Sequence, residues 1–164
     1  MNRIAATGVA VFFMATASMS LAQEQEHAQQ ANDEVAEGRA MVQAGREQII
    51  RDELPLSDEE AAVFWPVYAE YQAEMAAIMD RYTAMLTEYV QRYDAGDLDD
   101  DYAEQLLEEF FGIKRELLEV QMNYVPTFKV AIPSLKVAQF FQLENKITAD
   151  IDSQLAIAIP LISQ

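Results

Sequence analysis

Between Phe64 and Tyr89, large apolar side chains recur at steps of four, three, four, three, four, three and four residues: Phe64, Tyr68, Tyr71, Met75, Ile78, Tyr82, Met85 and Tyr89. That rhythm places one stripe along a helix with about 3.6 residues per turn, and it does not fit a strand, whose faces alternate at every residue. A stripe held over about three and a half heptads also needs a partner helix to cover it. The chain is thereby committed to helix packing.

The start of this helix is written in Leu56-Ser57-Asp58-Glu59-Glu60. Ser57 can accept from the amide of Glu60 while Glu60 reaches back to the amide of Ser57, and the acidic first turn suits the helix dipole. From Ser57 to about Tyr93 the helix spans roughly 50 Å. Pro66 predicts a kink or an opened turn near its beginning. The turn Asp94-Ala95-Gly96-Asp97-Leu98-Asp99-Asp100-Asp101 follows. Beyond it Leu106, Phe110, Ile113, Leu117, Val120, Tyr124 and Phe128 repeat the rhythm, with Pro126 expected to bend the end. Two stripes of similar length across a short turn predict an antiparallel α-hairpin. A fourth helix is expected over about 134–158, after the break at Ile132-Pro133-Ser134, with Phe140, Leu143, Ile147, Ile151 and Leu155 inward. A first helix over about 33–52 has Val35, Met41, Val42, Ile49 and Ile50 as its apolar side and ends at Pro55. The expected fold class is all-α, four helices built on a long, bent antiparallel α-hairpin.

Upstream, residues 1–22 hold one basic residue, Arg3, then an apolar run, then Ser20-Leu21-Ala22. That is the layout of a cleaved signal peptide, and the apolar run is short for a bilayer span. Residues 23–32 are polar and aperiodic and read as a disordered linker. Residues 33–161 then form a single all-helical domain of ordinary size. The expected location is periplasmic, with no membrane span in the mature form.

The formal net charge is −17, and it becomes −18 once Arg3 leaves with the signal. Such a charge repels nucleic acid and anionic lipid and leaves basic or apolar protein segments, and divalent cations, as partners. With no cysteine and a lone histidine, His27, the chain lacks the usual nucleophile–base pairs, thiolate metal sites and disulfides. No nucleophile elbow, zinc-binding helix motif or phosphate loop occurs. The chain therefore reads as non-enzymatic, with no cofactor. Asp97, Asp99, Asp101 and Glu108 match positions of a calcium loop, but Tyr102 stands where that loop needs glycine, and helix capping explains the same residues.

Two side-chain groups stand out. Phe64, Trp65 and Tyr68 beside Pro66 are candidate partner-binding anchors, with core packing as the competing assignment. Arg81, Gln139, Gln142, Glu144 and Lys146 are expected to form a polar seam that fixes helix register, since buried polar groups must be hydrogen-bonded. The methionines offer adaptable apolar surface where exposed.

The segments Leu56-Ser57-Asp58-Glu59-Glu60 and Ile132-Pro133-Ser134-Leu135-Lys136 both resemble the L-T-x-x-Q motif that occurs twice in the Spy/CpxP family of periplasmic helical proteins. Phe64-Trp65-Pro66-x-Tyr68-x-x-Tyr71, Gln142-Leu143-Glu144-Asn145-Lys146 and Ile159-Pro160-Leu161 are similar to an uncharacterised branch of such proteins. The motif positions are Leu56, Ser57, Glu60, Ile132, Pro133, Ser134 and Lys136. Glu60 and Lys136 replace glutamine, and Pro133 replaces threonine. The resemblance implies a bent hairpin capable of pairing into a homodimeric cradle. It also implies ATP-independent, chaperone-like binding of exposed apolar client segments, or of an envelope-stress sensor. A metal- or ligand-responsive regulatory module of the cell envelope is the alternative.

Overall fold

A computed structural model describes residues 41–162. The expected signal peptide (1–22), the expected polar linker (23–32), His27 and the beginning of the first expected helix lie outside the described residues. Among the described residues the fold is all-α with four helices. Helix α1 covers residues 41–53 of the described chain, α2 is Asp58–Ala95, α3 is Asp100–Ala131 and α4 is Ser134–Ala158. Among the described residues there is no strand.

Local chemistry sets these boundaries. Ser57 Oγ accepts from the Glu60 amide at 3.2 Å and Glu60 Oε2 accepts from the Ser57 amide at 2.8 Å, so the expected capping box is formed. Helix α2 ends at Gly96, which is left-handed at φ 69°. The amides of Gly96 and Asp97 donate to the carbonyls of Tyr93 and Arg92, the two bonds of a Schellman cap. Asp99 then caps α3 by accepting from the Tyr102 amide at 2.8 Å. Helix α2 is unbroken through Pro66, which costs it the hydrogen bond to the carbonyl four residues back. Pro126 likewise sits inside α3.

Cross-contacts fix the order of packing within the compact unit that begins at Ile49. Between α2 and α3, Glu74 meets Tyr124, Arg81 meets Glu116 and Arg92 lies over Tyr102. The pairs descend on one helix as they ascend on the other, so the two run antiparallel. Helix α4 runs alongside α2 in the same direction: Lys136 meets Glu60, Glu144 meets Tyr71 and Gln72, and past its end Pro160 meets Tyr89.

Two clusters make the core. The larger surrounds Phe64, Tyr68, Tyr71, Phe128 and Phe140, with Ile50, Leu54, Ile132, Val137 and Leu143. Most of its rings meet edge-on or tilted, with Phe128 and Phe140 centroids 4.6 Å apart, while Phe64 and Tyr68 stack. The smaller holds Ile78, Tyr82, Met85 and Ile113. The α2 stripe is buried as its spacing predicts, apart from half-buried Met75. On α1, Met41, Val42 and Ile49 are exposed. There the buried pair is Ile50 and Leu54, four residues apart and so on one face.

Candidate protein-binding surface

The aromatic anchors named from the sequence do not face outward together. Phe64 and Tyr68 are buried in the larger cluster, because both lie on the α2 stripe that α3 and α4 cover. Trp65 is half-buried, one position off that stripe. Its ring packs edge-on against Phe64 and Tyr68, and the Arg51 guanidinium lies 3.7 Å above it. These side chains therefore build the core and its rim, and Phe64 and Tyr68 present no surface to a partner.

The expected polar seam is dispersed as well. Glu144 is the buried member, and its carboxylate accepts from the Tyr71 hydroxyl and from Gln72 Nε2, each at 3.4 Å. Gln139 is half-buried and donates to the Glu53 carbonyl at 2.8 Å, tying α4 to the end of α1. Gln142 and Lys146 are exposed, because they lie on the far side of α4 from the row Val137, Phe140, Glu144 and Ile147. Arg81 is on the surface and pairs with Glu116. That pair raises the affinity of Arg81 for its proton and holds the Glu116 carboxyl below its usual range.

The two motif-like segments do come together. Leu56 and Ile132, their first positions, pack in the larger cluster, and Lys136 Nζ donates to Glu60 Oε2 at 2.5 Å across their fifth positions. The Lys136 ammonium, and next the Ser57 amide, hold the Glu60 carboxyl below its usual range. In the second segment Pro133 stands at the N-cap of α4 and supplies no side-chain hydrogen bond, having no oxygen there to offer. The acidic turn gathers into no metal cage: Asp99 is spent on the cap and Tyr102 to Glu108 are already helix. Among the described residues no three His, Cys, Asp or Glu side chains converge to hold a metal ion. None of the described helices is long and apolar enough to cross a membrane.

The surface that does stand out lies on α3. Leu107, Phe111, Leu118 and Met122 are each more than half exposed. At about 100° per residue they fall within about 60° of one another, so they form one row about 22 Å long. Sequence reasoning followed the stripe that faces α2 and missed this second row. The signal was present in the doublets Leu106-Leu107, Phe110-Phe111 and Leu117-Leu118, which widen the apolar arc of α3 beyond what one partner helix covers. At its Leu107 end the row opens into an apolar cavity of about 280 Å³ floored by Leu86, Leu106 and Phe110 and walled by Pro160, Leu161 and Ile162. The Tyr89 hydroxyl donates to the Pro160 carbonyl at 2.7 Å and anchors that wall. A neighbouring cavity of about 550 Å³ shares Leu106 and Ile162 and is lined by Tyr93, Tyr102, Asp99 and Asp100.

Comparison with protein-family models, with curated proteins and with solved structures finds no match. The surface is therefore read on its chemistry alone. Side chains of this kind exposed to this degree sum to roughly 450 Å², the scale of a patch that marks an interaction site on a soluble protein. The row carries apolar contact area and no nucleophile, so what it can do is hold another apolar surface.

Proposed function

We propose that this chain is an exported, periplasmic, non-enzymatic binding protein that holds exposed apolar segments of other proteins without ATP. In this it would act like the Spy/CpxP proteins that its motif segments resemble. The observation that carries the reading is the row Leu107, Phe111, Leu118 and Met122, exposed apolar side chains on one face of α3 outside the buried core. A single helix face with a flexible methionine at one end suits loosely defined partners, because such side chains repack around different shapes. The strong negative charge keeps a protein with such a strip soluble.

Light scattering by several chemically or thermally unfolded client proteins tests the reading. At stoichiometric amounts the chain should suppress their aggregation, and Phe111→Ser with Leu118→Ser should abolish most of that effect while leaving the helical circular dichroism unchanged. Clients that aggregate at the same rate with and without the chain would overturn the chaperone-like function. Amino-terminal sequencing of the exported protein should begin at Gln23. Recovery of the chain in the cytosol with Met1 intact would overturn the assigned location.

A further inference from the structure

The row on α3 has an uneven border, and the border says which segments fit. Within about another 60° on its solvent side lie Asp101, Glu104, Glu108, Arg115 and Glu119, all exposed. Four carboxylates thus stand against one guanidinium along the open shoulder. On the opposite shoulder the cation Lys114 is already engaged: its Nζ is 3.7 Å from Asp152 and 4.8 Å from the centre of the Tyr82 ring. At the Leu107 end, Asp99 and Asp100 line the larger cavity. The α3 dipole contributes about half a positive charge there, which is less than the full negative charge of either carboxylate.

Resting on the function proposed above, we propose that this groove takes a basic amphipathic helical segment of another protein. Its apolar side would lie on Leu107, Phe111, Leu118 and Met122, and its Lys and Arg side chains would face Asp101, Glu104, Glu108 and Glu119. One apolar side chain near the segment's end fills the cavity beside Leu107 and Pro160, and a neighbouring basic side chain reaches Asp99 and Asp100. Area favours a segment over a second copy of the chain. The strip offers roughly 450 Å², whereas a stable dimer buries about 800 Å² on each partner. Charge favours it too, because two copies would bring acidic shoulders together at a formal −17 each. The row is about 22 Å long, which is four turns of a bound helix.

Fluorescence anisotropy with the intact chain and three labelled peptides of about 18 residues tests this. One is a Leu/Lys amphipathic helix, one is its Leu/Glu counterpart, and one is the Leu/Lys composition scrambled to remove the apolar face. At about 0.02 M salt the Leu/Lys helix should bind about tenfold tighter than either other peptide, and the margin over Leu/Glu should fall to about threefold or less at about 0.5 M salt. Glu104→Gln with Glu108→Gln and Glu119→Gln should remove the preference for Leu/Lys over Leu/Glu. Phe111→Ser with Leu118→Ser should weaken Leu/Lys binding about tenfold. Equal binding of Leu/Lys and Leu/Glu, both lost in the Phe111 and Leu118 variant, would overturn the basic class and leave the function of holding apolar segments standing. Equal binding of the scrambled peptide would reduce the site to bulk charge and overturn the groove. Binding of no peptide, together with a dimer in sedimentation that the Phe111 and Leu118 variant dissociates, would make the row a self-association face and overturn the proposal. Binding of no peptide by a monomer that still suppresses aggregation would overturn this groove while the function survives elsewhere on the surface. Tight, groove-dependent Leu/Lys binding by a chain that suppresses no aggregation would do the reverse.

Discussion

The Lys136 ammonium lies 2.5 Å from Glu60 Oε2, and this ion pair joins the segment that opens α2 to the segment that opens α4. The same oxygen accepts from the Ser57 amide at 2.8 Å, so one carboxylate caps its own helix and clamps another. Both contacts favour the ionised form, the ammonium more than the amide, and the carboxyl titrates below its usual 4.5. A carboxyl depressed in the folded state adds stability above its unfolded pKa and loses it as pH falls through the folded value. Carboxyl NMR should therefore find Glu60 with its titration midpoint below 4.5. Lys136→Met should move its titration upward without reaching 4.5, because the amide remains. A titration unmoved by Lys136→Met would show that the clamp carries no energy.

The buried carboxylate of Glu144 is a separate matter. It is 2 % exposed and accepts from the Tyr71 hydroxyl and the Gln72 amide inside the larger cluster. Glu144→Leu takes a buried acceptor away from the Tyr71 hydroxyl and the Gln72 amide, which costs about 2–4 kcal/mol. Replacing Tyr71 by Phe and Gln72 by Leu in the same chain removes both donors, and much of that stability should return. Chemical denaturation of the single and triple variants measures both. If the triple variant were less stable than Glu144→Leu alone, the group would owe its place to packing more than to its hydrogen bonds.

How far the sequence reveals this protein depends on the length over which a signal repeats. The α2 stripe, the Ser57 capping box and the break at Pro133 specify helix bounds that the fold keeps within about two residues, because each is a local backbone constraint. The side chains that meet across helices were less legible. Gln139, Gln142, Glu144 and Lys146 are close in sequence, yet only Glu144 points into the core, since helical phase separates neighbours by about 100°. Phe64 and Tyr68 were ambiguous for another reason: a stripe aromatic and a binding anchor have the same composition, and only the covering helices distinguish them. The exposed row on α3 was hidden because its residues stand beside stripe residues and look like a broader core face.

Gly96 ends α2 at φ 69° and ψ 26°. A methyl group there would meet nothing within 4 Å, so the cost of Gly96→Ala is one of backbone alone. The left-handed conformation and the added stiffness of the unfolded chain pull in opposite directions, and the first wins where φ is positive. Thermal unfolding should show a loss of about 1 kcal/mol. Gly96→Asn should lose less, since asparagine tolerates this region. Equal stabilities for the alanine variant and the natural chain would mean that the turn can close by another backbone path.

Tyr124 on α3 donates to Glu74 Oε1 on α2 at 2.7 Å. Burial, then the hydrogen bond to that carboxylate, pushes its phenol up to about 12 from the ordinary 10. Tyr82, Tyr89 and Tyr102 are also raised, in each case chiefly by burial. A group that keeps its proton longer when folded contributes fully below its unfolded pKa and loses that contribution as pH rises through its folded one. Stability should therefore decline from about pH 10 to about pH 12, the window set by the unfolded and folded values of Tyr124. Tyr124→Phe should flatten part of that decline, and Glu74→Gln should lower the pH at which Tyr124 ionises, because the acceptor then bears no charge. Phenolate absorbance followed against pH, alongside denaturation at each pH, reads both effects. If Tyr124→Phe left the alkaline limb as steep as before, the remaining raised tyrosines would carry the decline and the α2–α3 hydrogen bond would not.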